Sequence, residues 1–394
     1  MNGPDVRAVQ RALGVSVTGA YGPTTAAAVA DWKHRTGYPD GEINNGIGLR
    51  GQGYLLRDVP VPTDYFMRAN ARALRGLMPL LSAKGPPLGK RTAPSKLLRW
   101  PIRPFDGPHP IRAPFGEPRG LVGATKGLSG GPLALHLATL SPVALAGRRN
   151  IHHGIDIACP DGTEVFAITS GVARLAGHDN FSRVVRVGDF DYVHLDDPVR
   201  DGQRVTAFKT VIGRVFPGQG HVHFSRYVGS DPVNALSFGG FVGHADTAPP
   251  EIGNLVAFRP NGKRAQLGAL SGAIALFVNA VDRQGQGNLT GGLYRLSYVI
   301  NRANGSPAVG PFDIFQMDGL VPVAAGNLLY TVQSTRHSLE PSIWYRLTLK
   351  SPTGDAWLHT SVLAKGSYSI VVTASDVAGN VATKAFPIAV TRAV

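Results

Sequence analysis

The chain is poor in cysteine and has no long apolar run. One cysteine, Cys159, among 394 residues excludes an internal disulfide, and without an evident partner it is expected to be a buried small apolar residue. No apolar stretch approaches the roughly 20 residues that span a bilayer, so no transmembrane segment is expected. Residues 1–14 also lack the apolar core of a signal peptide, so a cleaved export signal is not visible in the sequence.

Acidic residues are in the minority. Asp and Glu number 26 against 40 Lys and Arg, which gives a net charge of +14 and favours an anionic partner, because long-range attraction raises association rates. Nucleic acid would suit the charge, but its usual binding motifs are absent, and much of the basic excess falls in one segment without interleaved aromatics. No nucleic-acid binding is therefore expected. That segment contains Arg68, Arg72, Arg75, Lys84, Lys90, Arg91, Lys96, Arg99 and Arg103.

The length and the turn-forming residues set the fold class. A chain of this length holds two or three domains, and its 49 glycines and 30 prolines favour β-rich architecture with many turns. We predict a multidomain, mainly β protein. Its parts are a small helical N-terminal domain at 1–57, a basic linker at 58–104, a central antiparallel β-sheet domain at 105–245 and a C-terminal β-sandwich at 246–394.

Three short motifs between residues 152 and 223 carry the most chemical information. They are His152-His153-Gly154-Ile155-Asp156, Asp191-Tyr192-Val193-His194-Leu195 and His221-Val222-His223-Phe224. A catalytic zinc takes nitrogen, oxygen or sulfur ligands and keeps one position open. A set of two histidines and one carboxylate, His152, Asp156 and His223, would supply such a site. Alternation along a strand places His221 and His223 on one face, so one can bind metal while the other faces a substrate.

Other residues near these motifs have simpler interpretations. His153 neighbours His152 but breaks the i, i+4 spacing to Asp156, so it is the weaker choice as a ligand. The aspartates that flank His194 (Asp191, Asp196 and Asp197) could orient its ring, or they could be turn residues. His109, His136 and His178 have no motif around them and are interpreted as structural.

The three motifs resemble those of the lysostaphin-type (LytM-like) zinc metalloendopeptidases, which cut peptide bonds in bacterial peptidoglycan. The family pattern is H-x-G-x-D, then Y-x-H-L, then H-x-H-[FL]. The resemblance implies that His152, Asp156 and His223 bind Zn²⁺ and that His194 and His221 are catalytic. It covers roughly residues 105–240, including the strand Ile111-Arg112-Ala113-Pro114-Phe115-Gly116. The chain departs from the family at residues 117–149, an insertion expected to lie beside the groove, and at 215–220.

The N-terminal residues are similar to a small helical peptidoglycan-binding domain. Val6, Val9 and Leu13 recur at helical spacing, Gly14 ends the run, and Thr24 or Thr25 can cap a second helix. The family patterns are V-x-x-[LV]-Q-x-x-L and D-G-x-[FY]-G-x-x-T, with Thr18 here in place of the usual aspartate. The resemblance implies binding to the bacterial cell wall.

The linker and the C-terminal part have weaker signatures. Tyr65–Leu81 is predicted to form a basic amphipathic helix, and residues 83–94 an extended segment rich in Pro, Gly and Lys. Strands are predicted at 274–278, 294–299 and 368–374, separated by turns, as in a β-sandwich. Residues 374–380 resemble the A-x-D-x-x-G-N hairpin of bacterial immunoglobulin-like domains. Asp282 and Asp376 need no metal, since aspartate is common in turns.

The resemblance implies a zinc-dependent endopeptidase that hydrolyses peptidoglycan stem peptides or cross-bridges. We expect it to act as a monomer, outside the cell or in the cell wall. With no visible signal, either a presequence has been removed or release follows another route, as for a phage lysin. Zinc would acidify water and polarise the scissile carbonyl. No H-E-x-x-H glutamate is present, so His194 and His221 would share the proton transfers. The alternative function is a catalytically inactive peptidoglycan-binding adaptor or cell-wall scaffold on the same fold.

Overall fold

The computed structural model describes residues 4–35, 81–82, 85–121, 149–178, 183–260, 263–284, 289–330 and 343–392. The protein is mainly β and contains several antiparallel sheets, as predicted from the sequence. All but the last residue of the helix predicted at Tyr65–Leu81, and nearly all of the insertion at 117–149, lie outside the described residues. Among the described residues, no helix is long and apolar enough to cross a membrane.

The described part of the N-terminal unit, residues 4–35, contains the helices α1 (Pro4–Ala12) and α2 (Pro23–Arg35). Val9 and Val29 are buried between them in a cluster separate from the main core. Buried Gln10 ties the turn to the helices, since its side-chain nitrogen donates to the Thr25 hydroxyl at 2.9 Å and its oxygen accepts from the Gly19 backbone at 2.9 Å. Both predicted helices are present, but the second begins at Pro23, so Thr24 and Thr25 lie inside its first turn and do not precede it as caps.

In the described part of the central domain, one ten-stranded sheet forms the framework. Its main path runs β1-β4-β11-β8-β7-β6-β9 with antiparallel neighbours, while β5, β10 and β12 pair at its margins and β2 and β3 form a separate ribbon. The strands are β1 (Ile111–Ala113), β2 (Pro118–Leu121), β3 (Arg149–Ile151), β4 (Ile155–Ala158), β5 (Glu164–Phe166), β6 (Gly171–His178), β7 (Arg183–Val187), β8 (Phe190–Asp196), β9 (Arg204–Val205), β10 (Val211–Val215), β11 (His221–Val228) and β12 (Asp231–Val233).

One face of this sheet is apolar and buried. Ile157, Val185, Tyr192, Val222 and Phe224 come from four neighbouring strands, and each is fully buried. Alternation along the strands turns the intervening residues to the opposite face. The sheet therefore has a core face and an open face, and the open face carries the polar residues of the sequence motifs.

The C-terminal part contains two larger sheets. One has the order β14-β13-β16-β17, with β20 and β21 also on β16, and the other has the order β15-β23-β22-β18-β19. The strands are β13 (Glu251–Phe258), β14 (Arg264–Ala265), β15 (Leu270–Ser271), β16 (Ala273–Gln284), β17 (Leu289–Gly291), β18 (Arg295–Arg302), β19 (Pro307–Gln316), β20 (Trp344–Arg346), β21 (Leu358–His359), β22 (Gly366–Ser375) and β23 (Val381–Arg392), and helix α3 is Val323–Leu329. The three strands predicted here are confirmed as parts of β16, β18 and β22.

The predicted hairpin after β22 is built around Asp376. One oxygen of its carboxylate accepts hydrogen bonds from the backbone of Gly379 at 2.7 Å and Asn380 at 2.9 Å. The carboxylates of Asp246, Asp282 and Asp376 meet beside this hairpin, with oxygens within 4.8 Å of one another. Burial, with Asp376 and Asp246 nearby, raises the pKa of Asp282 to about 8.

Residues 85–104, assigned to the linker, pack against both β domains. Leu88 pairs with Phe315 of the C-terminal part, and Leu98 pairs with Phe241 of the central part. The Lys350 ammonium donates to the carbonyls of Gly85 and Pro86, each at 2.6 Å. One hydrophobic cluster runs through both domains, so this part of the chain stabilises the central sheet from which the site is built.

Candidate metal centre

Strand register brings the three histidine motifs together. On the open face of the sheet, His223 of β11 lies directly opposite Asp156 of β4 and Val193 of β8. His152 lies at the start of the turn into β4, four residues before Asp156. The antiparallel pairing of β4, β11 and β8 therefore converts three distant pieces of sequence into one cluster.

Three atoms of this cluster converge. His152 Nε2 lies 2.9 Å from Asp156 Oδ1 and 2.8 Å from His223 Nδ1, and His223 Nδ1 lies 3.0 Å from Asp156 Oδ1. All three side chains are buried. A triangle of two imidazole nitrogens and one carboxylate oxygen is a donor set that zinc prefers.

In both imidazoles, the ring nitrogen that faces away from Asp156 makes a hydrogen-bonding contact that orients the ring. His152 Nδ1 donates to the Pro114 carbonyl at 2.8 Å, and His223 Nε2 lies 2.9 Å from the Ser225 hydroxyl. His152 therefore turns the lone pair of its Nε2 toward Asp156 Oδ1. The Ser225 hydroxyl can donate or accept, so His223 Nδ1 can either donate to Asp156 Oδ1 or offer a lone pair beside it. Two imidazole nitrogens and one carboxylate oxygen that converge in this way fit a metal ion, which would take the place of a shared proton.

The electrostatics of the cluster favour metal binding at neutral pH. Burial alone would raise the pKa of Asp156, but the imidazoles of His152 and His223 hold it well below its ordinary value. Burial lowers the pKa of His223 to about 4 against the opposing effect of Asp156. The carboxylate is thus ionised and the His223 imidazole neutral, which are the protonation states of metal ligands.

Gly154 has a steric reason to be glycine. A Cβ at this position would collide with the Phe224 carbonyl and would lie 2.7 Å from both His223 Nε2 and the Ser225 hydroxyl. Real Cβ atoms do not approach that closely, so any side chain would displace the backbone of β11 or the His223–Ser225 pair. The glycine of the first motif therefore leaves room for the His223 ring on another strand.

His194 reaches the open face through an exception to strand alternation. Tyr192 points into the core and its hydroxyl accepts from the Ile168 backbone at 2.9 Å, so simple alternation would bury His194 as well. Instead His194 has a φ of 65°, a left-handed conformation that non-glycine residues rarely adopt. Both Val193 and His194 consequently line the cavity. Backbone strain of this kind is concentrated at functional sites.

His221 lies between the metal cluster and His194. Its ring is centred 4.8 Å from that of His194, and its Nε2 lies 3.6 Å from Asp156 Oδ2. Its Nδ1 donates to the Gln219 carbonyl at 2.6 Å, which leaves Nε2 as an acceptor facing the cluster. Burial lowers the pKa of His221 to about 4, although Asp156 opposes the shift, so this ring is neutral at pH 7.

His153, Cys159 and the aspartates near His194 lie outside the converging set of donor atoms. The His153 ring is centred 4.8 Å from that of His223 and lines the cavity without joining the converging triangle. Asp191 is buried and paired with Arg186, whereas Asp196 and Asp197 are exposed. Cys159 is half-buried, and burial raises the pKa of its thiol to about 11, so it is not a reactive thiolate at neutral pH.

A cavity of about 580 Å³ opens over these groups. Its lining residues extend from the metal cluster across β8, β7 and β6. They are His152, His153, Asp156, Ala176, Val184, Asp191, Val193, His194, His221 and His223. The cavity therefore places the two additional histidines and the three converging ligand atoms before one substrate-sized space.

Sequence reasoning missed the residues that orient the ligands. Pro114 contributes only a carbonyl oxygen, and Ser225 carries no motif of its own. Arg112 donates to the Gln219 carbonyl at 2.6 Å and lies 3.1 Å from His221 Nδ1. Ser225 could have been found from the alternation of His221, His223 and Ser225 along β11, whereas the contacts of Pro114 and Arg112 depend on pairing between distant strands.

Residues 150–235 match the model of Peptidase family M23. This range contains the four histidines and the aspartate of the site, which are His152, Asp156, His194, His221 and His223. The chain is also similar to solved structures at low identity. Csd3 of Helicobacter pylori is 22% identical with a TM-score of 0.24, covering 37% of this chain and 33% of its own. A zinc-containing peptidase from Vibrio cholerae is 23% identical with a TM-score of 0.20, covering 33% and 40%.

The catalytic domain of the prophage-encoded M23 protein EnpA from Enterococcus faecalis is 22% identical, with a TM-score of 0.20, and the match covers 34% of this chain and 98% of that domain. The chain spans about a third of the length of Csd3. No curated protein matches it. Within the central domain, the similarity to Peptidase family M23 therefore covers residues 150–235.

Proposed function

We propose that the protein is a zinc-dependent endopeptidase that hydrolyses peptide bonds in bacterial peptidoglycan. The observation that carries the proposal is the convergence of His152 Nε2, His223 Nδ1 and Asp156 Oδ1 within about 3 Å of one another. The M23 match over the same residues supports it. An inactive adaptor, the alternative considered from the sequence, would need neither this donor set nor the two additional histidines beside it.

His152, Asp156 and His223 would hold the zinc ion. When bound, zinc supplies Lewis acidity, which polarises a carbonyl group and lowers the pKa of water to about 7. Pro114 and Ser225 keep the ligand nitrogens aimed inward through their hydrogen bonds to the opposite sides of the rings. Such outer contacts commonly control both metal affinity and ring orientation.

His221 and His194 handle protons in this proposal. The Gln219 carbonyl holds the proton of His221 on Nδ1, so Nε2 can accept a proton from a water molecule in the cavity. His194 lies beside it and faces the same cavity. The two rings together supply a base for water and an acid for the departing amine, a contribution of about 100-fold or more in comparable sites.

The substrate follows from the resemblance and the charge. The N-terminal helices α1 and α2 would bind the wall and raise the local concentration of the peptidase domain, and the net charge of +14 would favour an anionic wall. The protein would act as a monomer, in the cell wall or outside the cell. The C-terminal immunoglobulin-like β-sandwich would act as a spacer or adhesion module.

The test is digestion of purified peptidoglycan fragments of defined cross-link type by the full-length protein loaded with one equivalent of zinc. Mass spectrometry should show new peptide termini, and chelation of the metal should abolish them. The matched control is the His221→Ala protein with zinc bound. Binding to peptidoglycan without new termini, under conditions where zinc is present, would support the adaptor instead.

A further inference from the structure

The open face of the central sheet carries a second row of side chains beside the metal centre. Ser225 of β11 lies directly opposite Asp191 of β8, Asp191 lies opposite Arg186 of β7, and Arg186 lies opposite Arg174 of β6. Ser225 also contacts His223. A continuous polar row therefore begins at the outer side of a metal ligand and runs across four strands.

Between this row and the histidines lies an apolar floor. Val193 of β8, Val184 of β7 and Ala176 of β6 line the cavity from the metal cluster outwards. These side chains offer no hydrogen bonds, so polar recognition of a substrate on this side must come from the neighbouring row. The row ends in two arginines, whose guanidinium groups suit planar anions.

Arg186 is held firmly and still presents one edge of its guanidinium group. Its Nε and Nη2 each donate to Asp191 at 2.6 Å, and the group lies 4.8 Å from the centre of the Tyr227 ring. Asp191 is buried, while the Arg186 side chain is 45% exposed. Because Nε and Nη2 face the aspartate, the Nη1 edge is turned away from it.

Arg174 lies opposite Arg186 on the neighbouring strand β6. Two arginines directly opposite each other on neighbouring strands repel. The Asp191 carboxylate is already bound to Arg186 through two hydrogen bonds. The partner of Arg174 is Asp201, 3.7 Å away, and both side chains are more than half exposed, so that ion pair is weak. A carboxylate placed between the two arginines would relieve their repulsion.

We propose that Arg174 and Arg186 form a binding subsite for a carboxylate of the peptide substrate. The proposal rests on the proposed function and specifies its substrate class as acidic stem peptides, in preference to uncharged cross-bridges. Arg186 on β7 and Arg174 on β6 lie two and three strand spacings from β11, which is about 10 to 14 Å. An extended peptide advances about 3.3 Å per residue, so the carboxylate would belong to a residue about three or four positions from the scissile bond.

The experiment compares two probes with the full-length, zinc-loaded protein. One probe is a preparation of cross-linked stem peptides with free carboxylates, and the other is the same preparation with every carboxylate converted to a carboxamide. Calorimetry should show the acidic peptides binding about 10-fold more tightly, because hydrogen bonds to a charged group are stronger than neutral ones. Equal affinity for the two preparations would overturn the proposal, and this comparison requires no mutation.

Variants then locate the effect. Arg174→Gln, at an exposed position, and Arg174→Gln with Arg186→Gln should lower the affinity for the acidic peptides towards that for the amides, while affinity for the amides stays unchanged. Arg264→Gln makes the same charge change at an exposed position of β14 and should preserve the preference. A preference that survives in the Arg174→Gln protein, with native folding verified by circular dichroism, would place the carboxylate elsewhere and contradict the subsite.

Cleavage measured in parallel separates the two proposals. If the acidic peptides bind preferentially and are not cut, the subsite stands and the proposed catalytic function fails. If acidic and amidated peptides are cut with equal kcat/KM, the catalytic function stands and the subsite fails.

Discussion

The hydroxyl of Ser225 lies 2.9 Å from Nε2 of His223, and the other ring nitrogen of that histidine faces Asp156. Ser225 is fully buried and sits two residues beyond His223 on the same face of β11. This contact holds the His223 ring with Nδ1 turned toward Asp156, where that nitrogen would be available to a metal.

The first prediction concerns this contact. Ser225→Ala should weaken zinc affinity by about 10- to 100-fold, the usual effect of losing an outer partner of a metal ligand. Ser225→Thr retains the hydroxyl on a strand position and should stay close to the parent. Competition with a chromogenic chelator measures the affinity directly, without reference to activity. Equal affinities in the parent and the Ser225→Ala protein would show that the hydroxyl does not orient His223.

A second prediction concerns the ligands themselves. The purified chain should bind one zinc ion, and His152→Ala, Asp156→Ala and His223→Ala should each lose it, because only two donors remain in each variant. His153→Ala is the matched control and should retain zinc, since its ring lies outside the triangle of converging atoms. Metal content by elemental analysis decides the matter, and retention of zinc in all three ligand variants would contradict the assignment.

Proton transfer is predicted to be separable from metal binding. His194→Ala and His221→Ala should keep zinc yet lose turnover by about 100-fold or more, the scale expected for positioned acid and base groups. Turnover per bound zinc is the quantity to compare. If either variant released its metal while keeping activity per bound zinc, the roles given to these two histidines would be wrong.

Much of the fold and the residue types of the site could be predicted from the sequence, because both follow from local patterns. Alternation predicted a strand at 368–374, and the structure has β22 at Gly366–Ser375. The same alternation places His221 and His223 on one face. The donor atoms of His152, Asp156 and His223 then converge if β4 and β11 pair in the register that places His223 opposite Asp156.

Long-range register and backbone exceptions could not be predicted. Simple alternation would have buried His194 after Tyr192, and only its φ of 65° brings it to the cavity. The opposition of Arg174 and Arg186 depends on pairing between β6 and β7, whose register shifts between Leu175 and Gly177. Such features are set by the packing of whole sheets, which a short sequence motif does not encode.

Stability is predicted to depend on pH through Asp282. The folded state holds its pKa at about 8, above the ordinary value of about 4, so the folded protein binds more protons than the unfolded chain between these values. The free energy of unfolding should therefore fall as pH rises from about 4 to about 8. Asp282→Asn should reduce this fall, since the amide does not ionise.

Denaturant unfolding at pH 5, 7 and 9, with chelator in every sample, measures this effect. Asp246, Asp376 and the neighbouring His244 remain in both proteins and contribute equally to the comparison. Asp231→Asn, at an exposed position, is the control for the change in charge. Parallel pH profiles for the parent and the Asp282→Asn protein would contradict the prediction.

The last prediction separates wall binding from catalysis. Removing residues 1–57 takes away α1 and α2, whose buried valines form a cluster separate from the main core, and leaves residues 85–104 in place against both β domains. The shortened protein should therefore cleave a soluble peptide about as well as the full chain. On intact sacculi it should bind at least about 10-fold more weakly, because a second attachment point raises the local concentration of the first.

Added salt should weaken both proteins on sacculi, since exposed charges are screened beyond about 10 Å at 0.1 M. Co-sedimentation with insoluble peptidoglycan, run beside the soluble assay, gives both quantities, and equal sedimentation of the two proteins would leave α1 and α2 without a role in wall binding.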